Sequence, residues 1–306
     1  AVDTLASWEG GGNLLMASFV SPHHPYEPPA PWHEMYEPKA LTLLPGYAEE
    51  CDPKDLLYSR GFFPHDQWTE GQLRRVMAYY YAMISQIDHW VGQMIDTLRA
   101  SGLYDNTVIV YNSDHGEYLG YRHMIGKGNR MYEPLIRIPT IIKFPGERAR
   151  EARSSDLVNS TDLAPTLLTC AGCDVPTEME GRILSDGEGQ RSVIFAESSR
   201  GREYMARSRT RKLLLCEEDA FSSFYDLETD PQETTNLIND DRYQEDVRYL
   251  KDALSRWILF ETRTPVHVDE TAKLCGGDNI QPGNEDDRKS IAEFMRGKIE
   301  PVLRRS

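Results

Sequence analysis

Cysteine is scarce in this chain, and its five instances fall at 51, 170, 173, 216 and 275. An odd number at irregular spacing implies no disulfide framework, which leaves the compartment open with a lean towards a reducing, cytoplasmic one. Long apolar runs are missing too. None approaches the ~20 residues that a membrane-spanning helix needs, so no membrane partner is expected. Basic residues are in deficit, with 34 Lys and Arg against 49 Asp and Glu for a net charge of −15. Non-specific affinity for nucleic acid or an anionic membrane comes from clustered Lys and Arg, so neither is an expected partner. A small anionic substrate stays compatible, because one local pocket can be positive on an acidic protein. The opening Ala1-Val2-Asp3-Thr4 carries neither a start methionine nor the charged-then-apolar layout of a signal peptide. There is no internal repeat and no low-complexity tract.

What is present suits a globular protein: 40% of the 306 residues are hydrophobic and 10% aromatic. That length allows one large α/β domain or two smaller ones. Residues 1–66 are rich in proline, glycine and aromatics, with one short apolar run at 13–20 that reads as a buried strand before the loop Ser21-Pro22-His23-His24-Pro25. Thr69-Glu70-Gly71-Gln72 has the layout of a capping box. Leu73, Val76, Met77, Tyr80, Ile84, Ile87, Val91, Ile95 and Leu98 then recur at helical spacing, with Gly102 as the stop. Strands are expected at 107–111 and 137–144 and a helix over 160–171, an alternation typical of α/β sheets. Past residue 185 the texture changes to short strand-like pieces at 192–197, 212–216 and 224–227, then a helix around 240–260. This predicts an α/β portion over 1–185, a small α+β unit with an antiparallel sheet over 186–265, and a polar tail over 266–306 with a helix near 288–305.

In parallel α/β sheets, ligands bind beyond the carboxyl ends of the strands. Asp114 and His115 stand just past such an end, and Gly116 allows a tight turn. A carboxylate beside an imidazole suits a divalent cation, although Asp114 could equally serve an Asx turn or a cap. Lys127 lies between Gly126 and Gly128, where a loop can approach a ligand closely and present a compact charge to an anionic oxygen. An exposed lysine in a glycine turn can also be merely solvated. His23 and His24 sit between two prolines that stiffen their loop. A surface pair is often inert, but at the end of an apolar strand it could face the same crevice.

Taken together, Ser113-Asp114-His115-Gly116-Glu117, Leu119-Gly120, Gly126-Lys127-Gly128, Tyr132-Glu133 and Arg137-Ile138-Pro139 resemble the sulfatase family of the alkaline-phosphatase superfamily. Pro22-His23-His24-Pro25 resembles its His-x-Pro loop, and Asp162-Leu163-Ala164-Pro165-Thr166-Leu167-Leu168 its late helix. Tyr225-Asp226-Leu227, Asp230-Pro231, Glu233 and Asn236-Leu237 resemble its carboxy-terminal signature. Within the family the Asp-His-Gly and lysine spacing is similar to phosphonate monoester hydrolases and arylsulfatases. The resemblance implies an alkaline-phosphatase-like sandwich with a central mixed sheet, incomplete in this chain, plus a small carboxy-terminal α+β subdomain. It implies that Asp114 and His115 hold one divalent cation, calcium or manganese ahead of zinc. It implies that Lys127 and His23 are catalytic groups binding sulfuryl or phosphoryl oxygens, with His123 as a further substrate-side candidate whose alternative is a structural histidine. It leaves a homo-oligomer open.

The family's nucleophile, a formylglycine made from cysteine in Cys-x-Pro-x-Arg, is absent. Cys51-Asp52-Pro53-Lys54-Asp55 imitates half of the motif, but Asp55 stands where the arginine belongs and would repel an anion. Cys170-Ala171-Gly172-Cys173 closes the late helix and reads as small core residues rather than a zinc or redox pair. The expectation is the carboxy-terminal part of a longer enzyme, inactive alone, acting on a small anionic ester. A phosphatase, phosphodiesterase or mutase of the same superfamily is the alternative chemistry, and a non-catalytic binding homologue is the alternative to an enzyme.

Overall fold

Thr69 opens the longest helix of the chain. Its hydroxyl accepts from the Gln72 amide at 3.3 Å while Gln72 Oε1 accepts from the Thr69 amide at 2.9 Å, so the expected capping box is formed. The computed structural model describes residues 1–46, 69–127, 130–146, 153–184, 191–198, 203–216 and 221–262. After a short helix α1 (Val2–Ala6), helix α2 runs over Glu70–Ala100. Leu73, Val76, Met77, Met83, Ile87 and Leu98 are buried along it, whereas Ile84 is exposed. Gly102 takes a left-handed φ of 72° just beyond its end, a conformation that costs glycine little.

Strand β1 (Ile109–Asn112) and strand β2 (Thr140–Lys143) pair antiparallel, Ile109 opposite Lys143 and Asn112 opposite Thr140. Both are shorter than the sequence pattern suggests, and among the described residues they form a two-stranded sheet rather than part of a mixed one. The Lys143 ammonium closes the end of the pair by donating to the carbonyls of Tyr104, Asp105 and Thr107. The expected buried strand at 13–20 does not form. Those residues carry no regular secondary structure, with Leu14 88% and Val20 83% exposed. A strand needs a neighbour to satisfy its backbone, and no described segment lies in that position. Between the strands sits one helical turn, α3 (Glu133–Ile136). Helix α4 (Leu163–Cys170) follows the turn 160–162, as expected, but Cys170 and Cys173 at its end are exposed rather than packed in a core. Cys51 and the helix expected near 288–305 lie outside the described residues.

The carboxy-terminal unit is a four-stranded antiparallel sheet in the order β3 (Ile194–Glu197), β4 (Glu203–Arg207), β5 (Arg211–Cys216), β6 (Ser223–Asp226). Alternation sends successive residues to opposite faces. Met205, Leu214 and Tyr225 pack against Tyr118, Tyr121, Met124, Tyr132 and Leu135. Ala206, Leu213 and Phe224 pack against Val247, Leu250 and Leu254 of helix α5 (Gln244–Arg256). The sheet is thus covered by a helix on one face and by the loop after β1 on the other. β4 has no counterpart in the sequence reading, because Glu203 and Arg207 bracket its three central residues with charge. Both charges are paired inside the protein.

Glu203 accepts from the Arg130 guanidinium at 2.5 Å and from the Met131 amide at 2.7 Å. The fully buried Lys212 ammonium lies 2.7 Å from Glu233 and 3.3 Å from Glu133. Arg207 reaches Glu133 at 2.9 Å, and Glu233 accepts the Glu133 amide at 2.6 Å. Burying each ion costs several kcal/mol and is tolerated only with close partners. Burial works against the Glu133 carboxylate, but Lys212 and Arg207 outweigh it and hold its pKa below the usual carboxylate range. Lys212→Met is therefore expected to cost about 3–5 kcal/mol by leaving two buried carboxylates short of a cation. Urea unfolding reads this, and Lys212→Met with Glu233→Gln should recover part of the loss. A single-variant loss below ~1 kcal/mol, the scale of an exposed pair, would contradict the assignment.

Candidate metal and oxyanion site

Beyond β1 the chain turns at once. The Ser113 hydroxyl donates to the His115 carbonyl at 2.9 Å, and Asp114 Oδ1 accepts the His115 amide at 2.9 Å. Asp114 does make the local turn contact, yet its Oδ2 still faces His115 Nε2 at 3.6 Å. The Gly116 amide donates to the Leu135 carbonyl at 2.6 Å and the Glu117 amide to the Pro134 carbonyl at 3.2 Å, so the turn is built against α3. A Cβ at Gly116 would sit 2.0 Å from the Pro134 oxygen, which is why glycine stands there.

His115 Nδ1 lies 2.8 Å from the Gly116 carbonyl. A carbonyl only accepts, so Nδ1 carries the hydrogen and Nε2 presents its lone pair. That lone pair receives a hydrogen bond from Lys127 Nζ at 3.2 Å. A carboxylate oxygen, an imidazole lone pair and an ammonium therefore meet on one exposed rim. Oxygen and imidazole donors beside a site that already attracts positive charge fit a divalent cation. Among the described residues no third His, Cys, Asp or Glu joins the pair.

Lys127 is carried back to His115 by a tightly wound loop. Leu119, Arg122 and His123 have φ of 46°, 46° and 62°, and Gly120 and Gly126 have 93° and 75°. The Gly120 amide donates to the Met124 carbonyl at 2.7 Å and the Tyr118 amide to the Gly126 carbonyl at 3.2 Å. Leu119 and Ile125 pack on Leu73, Val76 and Met77 of α2, and Tyr118, Tyr121 and Met124 pack on the carboxy-terminal sheet. His123 is buried at 4% exposure within this loop.

His23 lies on a second loop, which meets this one through Tyr26. Its Nδ1 donates to the His24 carbonyl at 2.7 Å, which leaves Nε2 for other partners. Its ring lies 4.0 Å from that of His24. Three residues on, Tyr26 is buried at 1% exposure, and its hydroxyl donates to Glu117 Oε2 at 3.1 Å. Glu117 Oε1 accepts the amides of Leu119, at 3.3 Å, and of Gly126. Burial raises the Glu117 carboxyl above its ordinary value despite these donors, and it raises the Tyr26 phenol as well. Neither residue has a role in the sequence reading. Glu117 was visible as the residue after Asp-His-Gly, but nothing in the spacing shows that a tyrosine ninety-one positions earlier would meet it. Cys216 is no nucleophile: burial and the Glu203 carboxylate push its thiol up to about 12.

Residues 2–173 match the sulfatase family profile, and residues 123–258 match that of the N-sulphoglucosamine sulphohydrolase carboxy-terminal region. An arylsulfatase of Clostridium perfringens is 32% identical over 279 residues, covering 86% of this chain and 56% of that protein. A choline-sulfatase of Rhizobium meliloti is 32% identical over 246 residues, covering 74% of this chain and 46% of its own length. The chain spans about half the length of these curated relatives. Among solved structures, the phosphonate monoester hydrolase of Agrobacterium radiobacter superposes with a TM-score of 0.68 at 22% identity, covering 83% of this chain and 58% of that one.

Gly116→Ala is expected to destabilise the protein by about 1–3 kcal/mol, since a methyl group must displace backbone rather than a flexible side chain. The same variant should bind a divalent ion more weakly than the parent. Urea unfolding and metal titration check the two effects, and an unchanged unfolding midpoint would show that the turn does not need the close approach.

Proposed function

The chain belongs to the sulfatase family, and from that membership we propose that it forms one side of the active site of a metal-dependent hydrolase of sulfate esters or phosphonate monoesters. The fold is the alkaline-phosphatase-like fold of that family. The observation that carries the proposal is the meeting of Asp114, His115 and Lys127, with Lys127 Nζ 3.2 Å from His115 Nε2.

Asp114 and His115 would hold the cation, calcium or manganese ahead of zinc, the ion taking the Nε2 lone pair on which Lys127 rests in its absence. When bound, that ion supplies Lewis acidity to a substrate oxygen and lowers the pKa of a nucleophile. The remaining work falls to the chain's own groups. Lys127 places a fixed positive charge on the rim, where it neutralises charge developing on a non-bridging oxygen. His23, with its Nδ1 hydrogen engaged by the His24 carbonyl, would give a proton from Nε2 to the leaving oxygen as the imidazolium, the form in which both ring nitrogens carry hydrogen. Gly116 lets the backbone carrying His115 press against α3, so the imidazole is held rather than mobile. A buried position suits His123 to supporting the loop that returns Lys127. The nucleophile we place outside these 306 residues as a formylglycine, because the chain contains no Cys-x-Pro-x-Arg. The substrate is a small anionic ester.

The test is turnover of 4-nitrophenyl sulfate and of a phenyl phosphonate ester. The full-length protein is expected to hydrolyse at least one, and residues 1–306 alone neither. Asp114→Asn and His115→Ala should lose the divalent ion together with activity. Lys127→Ala should retain the ion and lose about 10²–10³ in kcat, the scale of one oxyanion-stabilising group. Unchanged metal content in both ligand variants, or turnover by the 306-residue chain alone, would sink the assignment.

A further inference from the structure

Glu117 is the point where two separate loops are joined. Its two oxygens divide the work. Oε1 takes the backbone amides of Leu119 and Gly126, and Gly126 is the residue directly before Lys127. Oε2 takes the Tyr26 hydroxyl at 3.1 Å, and Tyr26 follows the His23-His24-Pro25 turn. One carboxylate therefore holds the lysine loop with one oxygen and the histidine loop with the other. Both loops also rest on α2: Tyr26, Leu119 and Ile125 share a buried cluster with Leu73, Val76 and Met77. Tyr26 meets Tyr80 of that helix edge-on at 6.1 Å.

Apolar packing holds the loops on the helix but is tolerant of small sliding, since it has no direction. Hydrogen bonds to a single carboxylate are directional and set distance and angle together. Lys127 and His23 come from segments about a hundred residues apart in the chain, yet they must address different oxygens of one substrate. Misplacement by about 1 Å can cost on the order of 10²-fold in rate.

We propose that Glu117 is a positioning residue that sets Lys127 and His23 in register with each other, acting on the first through the Gly126 amide and on the second through the Tyr26 hydroxyl. This rests on the oxyanion and proton-donor roles proposed above for Lys127 and His23. Glu117 itself touches neither side chain in this arrangement. Its role needs the shape and hydrogen-bonding capacity of the group rather than its charge. A glutamine can still accept both amides through its oxygen and can donate to the Tyr26 oxygen through its nitrogen.

The experiment uses the full-length protein with Glu117→Ala, Glu117→Gln and Tyr26→Phe. Glu117→Ala should lower kcat by roughly 10- to 100-fold with KM and metal content close to the parent, and Glu117→Gln should restore most of that loss. Tyr26→Phe cuts only the limb to His23. Its loss should be larger for phenyl sulfate than for 4-nitrophenyl sulfate, because the poorer leaving group needs the proton more. A residue that only stabilises the fold would not produce that dependence on the leaving group. Hydrogen exchange reads the tie without turnover: the Gly126 amide should exchange faster in Glu117→Ala and at the parent rate in Tyr26→Phe. Unchanged Gly126 exchange in Glu117→Ala overturns the proposal, as does a loss of rate that simply follows metal content or folded fraction. If the parent turns over neither ester, the reading of the site as a hydrolase fails separately, and the exchange result alone decides whether Glu117 holds the loop.

Discussion

The turn that carries Asp114 and His115 leans on a buried ammonium. Lys212 projects from the second-last strand of the carboxy-terminal sheet and meets Glu133 and Glu233 with no exposure to solvent. Glu133 begins the single helical turn whose Pro134 and Leu135 carbonyls receive the Gly116 and Glu117 amides. The turn that carries Asp114 and His115 is thus braced against a segment that is anchored, through charge, to a different sheet. An isolated hydrophobic contact could hold that segment near the sheet. The paired ions hold it at one place, because a buried charge tolerates very few positions for its partner.

The loop from Glu117 to Lys127 is held on two sides by different forces. α2 offers an apolar surface to Leu119 and Ile125, and the carboxy-terminal sheet offers another to Tyr118, Tyr121 and Met124. Glu117 then supplies direction where packing supplies only proximity. The left-handed turns at Leu119, Arg122 and His123 are uncommon for residues other than glycine. They are sustained because the loop is enclosed on both sides. An exposed loop of the same sequence would relax out of them. Lys127 comes out of this packed core onto an exposed rim beside His115.

Much of this was legible from residue order. The capping box, the helical spacing from Leu73 to Leu98 and the Asp-His-Gly turn after an apolar strand are local features, and each arises from interactions within a few residues of chain. Other features were not legible. The run at 13–20 has the composition of a buried strand, but burial depends on what lies beside it, and here all of those residues but Leu15 are exposed. Strand β4 is not legible in the sequence because Glu203 and Arg207 look like surface charges until Arg130 and Glu133 are brought to them. The exposure of Cys170 and Cys173 likewise reflects neighbours rather than residue type.

Residue identity alone determined the chemical inventory: two ligand types suited to a divalent cation, a lysine between glycines, a histidine held between prolines, and no family nucleophile motif. It also determined the family, since those motifs recur in order along the chain. Only the tertiary structure decided how they meet. It showed Lys127 on His115, Asp114 still facing the imidazole after making its turn, and Tyr26 joined to Glu117. The reason is that local propensity acts over one turn of chain. Contacts such as Tyr26 to Glu117 or Lys212 to Glu133 depend on long-range packing, which carries no signature at either position taken alone.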